Sequence, residues 1–324
     1  MRPLIFHSSL ALQIENFIHL RQLSGTDYQS QALLFYYFDR FLCAEMFEGL
    51  ILTRQIIDRY LQTLSHLTPR VQSNRFCVVR QLCQYLSRAE PLNFVPEPIR
   101  TIATQTVHRA YIYNKSEISA LLAAASGLQP VGSLRPQTYK TLLGLLYSTG
   151  IRIGEALALN LEDFQSDEER IFIANGKFRK ARWVPLTAST RSALQSYLDK
   201  RMLIKPNLPN APFFLNLRSR RLHHNTVNQT FGSLLTQCQI TSGGPFQPRI
   251  HDLRHTFAVH RLLAWYCDGK DVNARLPWLA TYMGHVDIHS TQVYLQATPE
   301  LTESVAQRFH KYYLQQVEHN GGKS

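Results

Sequence analysis

The sequence contains no apolar run long enough to cross a bilayer, a passage that takes about 20 consecutive apolar residues. Its opening stretch, MRPLIFHSSLALQIENFIHL, lacks both a long apolar centre and a small-residue cleavage site, so it does not read as a secretion signal. Cysteine is sparse. The five residues Cys43, Cys77, Cys83, Cys238 and Cys267 are odd in number and scattered, which excludes a disulfide framework and paired zinc-ligand spacing. Reduced, mostly buried thiols in a cytoplasmic protein are the expectation. Internal repeats and low-complexity tracts are absent too. Acid is in short supply: Asp and Glu total 23 against 35 Lys and Arg, a formal net charge of +12. That excess calls for an anionic partner, and without a membrane segment nucleic acid is favoured over lipid.

With 324 residues, the chain suits two domains, each able to build a core. Residues 1–90 read as a helical bundle of four amphipathic segments, with Gly25 ending the first and Pro69 opening the fourth. Arg54, Arg59, Arg70, Arg75, Arg80 and Arg88 recur along its second half. Together they suit a phosphate-contacting face, although each alone reads as an ordinary solvated arginine. Pro91, Pro96 and Pro98 then exclude a helix or central strand, so 91–112 is expected to be a linker. The next domain spans 113–298, and 299–324 form a C-terminal helix and tail. The expected fold class is mostly α with a small β-hairpin or sheet.

In the second domain, Ser116 is the expected N-cap of a helix ending at Gly127. A helix from Pro136 should break at Thr149-Gly150, and a second should carry Arg152 and Glu155. RIFIANGKFRKARWVPL reads as two strands around an Asn175-Gly176 turn, with Lys177, Lys180 and Arg182 beyond it. NTVNQTFGSLLTQC is expected to be helical, as is HDLRHTFAVHRLL. In the latter, His251, Arg254 and His255 share one sector facing a cleft, and Leu253, Phe257 and Ala264 point the opposite way to bury. Such a cationic cluster binds an anion, and a nearby tyrosine hydroxyl can attack one.

TGIRIGEALAL, GKFRKARWVPL, HDLRHTFA, MGH and TQVY, in that order, resemble the tyrosine recombinase (phage integrase) family over roughly residues 112–298. YCDGKDVNARLPWLATYMGH resembles transposon- and integron-borne members more than the Xer type. The resemblance implies a catalytic domain behind an N-terminal helical core-binding domain. It implies Arg152 and Arg254 as clamp arginines, suited to phosphate oxygens by their planar, permanently charged fork. It further implies His251 as acid/base, Lys177 as general acid to the leaving 5′-oxygen, His285 as a donor to a phosphate oxygen, and Tyr294 as nucleophile. Lys180 competes with Lys177, and Tyr282 with Tyr294, but Tyr294 alone holds the motif position. Glu155 orients Arg152 or is merely a first-turn acid; both readings stand. His255 is expected to be structural. The chemistry requires no metal or other cofactor.

The activity so implied is site-specific cleavage and rejoining of DNA through a 3′-phosphotyrosine, in integration, excision or transposition of a mobile element. The alternatives are a type IB topoisomerase-like relaxing enzyme and a non-catalytic DNA-binding accessory factor. The implied partners are double-stranded DNA with an inverted-repeat core site and further copies of the chain, a tetramer in the synapse. A partner recombinase or accessory factor stays open, no membrane is involved, and the expected location is the cytoplasm, at the nucleoid. The segment around Leu301, Val305 and Phe309 is expected to dock on a neighbouring protomer or in cis. Arg218, Arg220 and Arg221 suit phosphate contact, whereas the adjacent His223 and His224 do not suit a metal.

Overall fold

The computed structural model describes residues 4–98, 110–174, 181–204, 210–244 and 246–284. The chain divides into two compact units, Met1–Val107 and His108–Ser324.

The first unit holds α1 (Ala11–Leu23), α2 (Gln29–Ala44), α3 (Arg54–Thr63) and α4 (Pro69–Ala89). Their apolar faces meet in one core, with Ile14, Phe17, Phe35, Phe38, Ile57 and Leu82 buried. Aromatic rings interlock edge-on there, Phe38 against Tyr60 at 4.8 Å and Phe17 against Phe35 at 5.7 Å, the geometry ring quadrupoles favour. Pro69 occupies the first turn of α4, where its missing N–H costs nothing. Several of the recurring arginines have local partners. Arg59 pairs with Glu45 at 2.6 Å, Arg80 donates to the Pro96 carbonyl, and Arg75 lies over the Tyr37 ring at 4.6 Å. The cysteine expectation fails in part: Cys83 is buried, but Cys43, Cys77 and Cys267 are exposed.

The second unit runs α5 (Lys115–Ser126), α6 (Arg135–Thr149), α7 (Ile153–Ala158), a 3-10 turn (Leu161–Asp163), β1 (Phe164–Gln165), β2 (Arg170–Ile173), β3 (Arg182–Pro185), α8 (Ala188–Met202), α9 (His224–Gln237), α10 (Asp252–Cys267) and α11 (Val272–Met283). The antiparallel sheet has the order β1-β2-β3, with Ile171 opposite Val184 and Ile173 opposite Arg182. Helix α6 is central, packing on α5, α8 and α10 and burying Leu142, Leu143, Leu145 and Leu146. Among the described residues, no helix is long and apolar enough to cross a membrane.

Three sequence expectations need correction. The N-cap of α5 is Asn114, not Ser116: its Oδ1 accepts the Glu117 N–H at 2.8 Å, and Glu117 Oε2 accepts the Asn114 N–H at 2.8 Å, a reciprocal capping box. Arg152 is not carried by a helix but precedes α7 in extended conformation. On α10, Leu253 and Phe257 bury as expected, but Ala264 is exposed, and Val259 and Leu262 fill the interface with Leu276, Leu279 and Met283 of α11. The helix is covered by two partners, so its buried arc is wider than one stripe.

Gly150 makes the break between α6 and α7. Its φ of 64° lies in the left-handed region, and an added Cβ would sit 2.3 Å from the Phe257 ring. Gly150→Ala is therefore expected to lose about 2–4 kcal/mol of stability, combining left-handed strain with overpacking. Urea unfolding checks this, and an unchanged midpoint would remove the close approach.

Candidate active site

The site grows from the ends of five elements, α6, α7, β3, α10 and α11. Helix α6 stops at Gly150, and Arg152 follows two residues on. Glu155, in the first turn of α7, reaches back: its Oε2 accepts the Arg152 backbone N–H at 2.9 Å and its Oε1 accepts Arg152 Nη1 at 2.8 Å. Of the two readings of Glu155, the orienting one holds. Arg182 of β3 meets the same carboxylate fork to fork, Nη1 to Oε1 at 3.1 Å and Nη2 to Oε2 at 2.9 Å. Burial pushes the Glu155 carboxyl up, but the bonds from Arg182 and Arg152 outweigh it and hold it below the ordinary carboxylate value.

The last carbonyls of a helix have no partners within it and carry its negative dipole end. At the end of α11, three successive carbonyls each receive an arginine. Arg182 Nε donates to Tyr282 O at 3.0 Å, Arg254 Nη2 to Met283 O at 2.7 Å, and Arg152 Nη2 to Gly284 O at 3.1 Å. Arg254 Nη1 also donates to Gly150 O at 2.6 Å, so one guanidinium ties the α6 break to the α11 end. Gly284 closes α11 with φ 68°, and a Cβ there would lie 2.9 Å from Arg182 Nη1. Arg254 is only 2% exposed. Its helical sector suggested a side chain open to a cleft; in this structure it is buried, with two of its donors on these carbonyls.

His251 stands at the N-terminus of α10, its ring edge-on to His255 at 5.1 Å. The residue as a whole is exposed, but desolvation of its ring by the surrounding atoms, then the His255 and Arg254 charges, push its pKa down to about 4. It is neutral at pH 7. Since the unfolded chain takes up the proton near 6.5 and the folded one only near 4, this group's contribution holds above 6.5 and is lost as pH falls through that window. In NMR titration of the free protein the His251 ring should turn over near pH 4. A midpoint near 6.5 would mean that the ring is not crowded.

Buried Asp252 fixes the start of α10 by accepting the Arg249 N–H at 2.8 Å. Tyr282, the rival tyrosine, stacks on Phe257 at 5.6 Å, and burial pushes its hydroxyl up to about 12. Lys177, Lys180, His285 and Tyr294, with Leu301, Val305 and Phe309, lie outside the described residues. The structure thus brings Arg152, Arg254 and the end of α11 together, with His251 on the same helix as Arg254.

Arg182 was missed as a site residue. A signal was available: strand alternation puts it on the same face as buried Val184, and a cation on an inward face calls for a buried partner. Arg221 has protein partners of its own: it donates to the Leu157 and Leu159 carbonyls at 2.7 and 3.1 Å and to Asn160 Oδ1. His223 and His224 serve the start of α9, bonding Asn225 and Asn228.

The model of the phage integrase family matches residues 112–300. The protein y4rB of Sinorhizobium fredii, assigned as an integrase/recombinase, is 33% identical over 265 residues, 80% of this chain and 84% of that protein. Tyrosine recombinase XerD of Caulobacter vibrioides is 30% identical over 262 residues, 79% of this chain and 81% of that one. Among solved structures, the Tn1549 transposon integrase in complex with transposon right end DNA superposes with a TM-score of 0.66 at 16% identity, over 94% of this chain and 100% of that one.

Proposed function

This chain belongs to the phage integrase family and is a tyrosine recombinase, and from that premise we propose how its residues divide the work. DNA is the substrate, consistent with the net charge of +12. Tyr294 attacks the scissile phosphorus, forming a 3′-phosphotyrosine while the bond to the 5′-oxygen breaks. His251, neutral at working pH, takes the phenolic proton, and Lys177, rather than Lys180, delivers one to the departing 5′-oxygen. Arg152 and Arg254 neutralise the non-bridging oxygens, and His285 donates a further hydrogen bond. The free 5′-hydroxyl of another strand then reverses the step, so no external energy is needed.

The observation that carries this division is the meeting of Arg152 and Arg254 at the end of α11. Gly284 is held there through its carbonyl, and His285 and Tyr294 follow it in the sequence by one and ten residues. Residues 113–298 would perform the chemistry, and the helical bundle of 1–90, joined by the linker 91–112, would grip the duplex from its other side. A tetramer on two inverted-repeat core sites gives each cleaved strand a partner, and a mobile element is the fitting context. An accessory factor belongs to this reading only if purified protein fails to act alone.

The test uses purified full-length protein and fragmented host DNA, with protein-linked fragments recovered under denaturing conditions and sequenced. Fragments joined through a 3′-phosphate and sharing an inverted repeat are the expected product. If no fragment stays attached, with or without host extract, the cleavage reading fails.

A further inference from the structure

We propose that Arg182 is a positioning residue for strand cleavage, holding the Arg152 guanidinium on aim and in net positive charge by taking half of the Glu155 carboxylate. The proposal deepens the reading of Arg152 as a phosphate clamp and rests on it.

The carboxylate is fully used. Oε1 receives Arg152 Nη1 and Arg182 Nη1, while Oε2 receives the Arg152 backbone N–H and Arg182 Nη2. Four donors fill the roughly four acceptor sites that a carboxylate offers. The three side chains sum to one positive charge. Without Arg182, Glu155 and Arg152 would form a neutral pair, and the anion would cancel the guanidinium that a phosphate needs. The cancellation would be strong, because the Glu155 side chain is only 4% exposed and charges interact more strongly out of water.

Arg182 also ties three parts of the site together. It opens β3, five residues after Lys177 in the chain, and its Nε holds the Tyr282 carbonyl at the end of α11. Gly284 leaves just enough room for the guanidinium to lie against the backbone that leads to His285. The Glu155 carboxylate is shared by the two arginines fork to fork and side-on. Arg254 donates to the carbonyls of Gly150 and Met283, and Glu162 and Asp163, which line the cavity beside Glu155, are themselves acids.

The experiment uses full-length Arg182→Gln, Arg182→Lys and the double variant Glu155→Gln/Arg182→Gln, with Arg152→Ala in parallel. The substrate is a synthetic duplex carrying the site recovered by covalent trapping. Single-turnover formation of the covalent complex is measured beside DNA affinity and thermal melting. Arg182→Gln should cleave about 10²-fold more slowly, the scale of a misaimed catalytic group, with DNA affinity unchanged. Arg182→Lys, which keeps the charge without the fork, should be intermediate. The double variant should recover part of the rate lost in Arg182→Gln, because the buried anion no longer cancels Arg152.

A wild-type rate in Arg182→Gln overturns the proposal, as does a loss of affinity and melting temperature that matches the loss of cleavage, or a double variant no faster than Arg182→Gln. Should Arg182→Gln not fold, the double variant, which buries no unpaired acid, decides: it must bind normally and cleave more slowly than wild type, and a wild-type rate sinks the idea. If Arg152→Ala itself cleaves normally, the clamp reading has failed. If Arg152→Ala is slow and Arg182→Gln is not, only the role of Arg182 has.

Discussion

Tyr294→Phe is expected to bind DNA with wild-type affinity and to leave no strand attached to protein. The substitution removes one oxygen and keeps the ring, so phosphate contacts that set affinity are untouched. Loss of the nucleophile itself is on the scale of 10⁶-fold in rate, enough to clear a denaturing gel of covalent product. The control is Tyr282→Phe. Tyr282 stacks on Phe257, and burial holds its hydroxyl up to about 12, so it is both packed and hard to ionise. Its conversion to Phe should leave cleavage intact. Covalent DNA persisting in Tyr294→Phe and vanishing in Tyr282→Phe would exchange the two assignments.

How far the site could be read before the fold was known depends on the range of the signals. Local signals served well. Pro69 and Gly25 bound their helices, Gly150 broke α6 from α7, and the strands on either side of Asn175-Gly176 pair as an antiparallel ladder. The choice of Asn114 over Ser116 was missed because both are good caps. Glu117 decided it, lying three residues beyond Asn114, where it can complete the reciprocal pair. β1 is only two residues long, too short for any alternation to show. α8 went unread. Its burial rests on Leu194, Tyr197 and Arg201, and the last two meet carbonyls of the 212–215 stretch, partners that no periodicity reveals. The same holds for the site. Helical spacing grouped His251 with Arg254 and motif order added Arg152, but the inward turn of Arg254 and the role of Arg182 depend on carbonyls 29 and 100 residues away.

Arg254→Ala should cost the protein twice, and the two losses can be separated. The side chain is 2% exposed and donates to Gly150 O at 2.6 Å and Met283 O at 2.7 Å. Hydrogen bonds from a charged donor contribute about 1.5–3 kcal/mol each, so truncation should lower stability by roughly 3 kcal/mol or more and loosen the end of α11 from the α6 break. Cleavage should fall further than that fraction explains, because a preorganised donor to a developing anion contributes about 3–4 kcal/mol, or 10²–10³-fold. Measuring the single-turnover rate well below the variant's melting temperature isolates the second loss. Arg254→Lys sharpens the distinction, since an ammonium keeps the charge but cannot span two carbonyls on separate elements. If charge alone mattered, the lysine variant would cleave nearly as wild type. A fork that must hold both Gly150 and Met283 predicts a lysine variant almost as slow as the alanine one, melting between alanine and wild type. Wild-type cleavage by Arg254→Ala, with only the melting temperature lowered, would reduce Arg254 to a strut between α6 and α11.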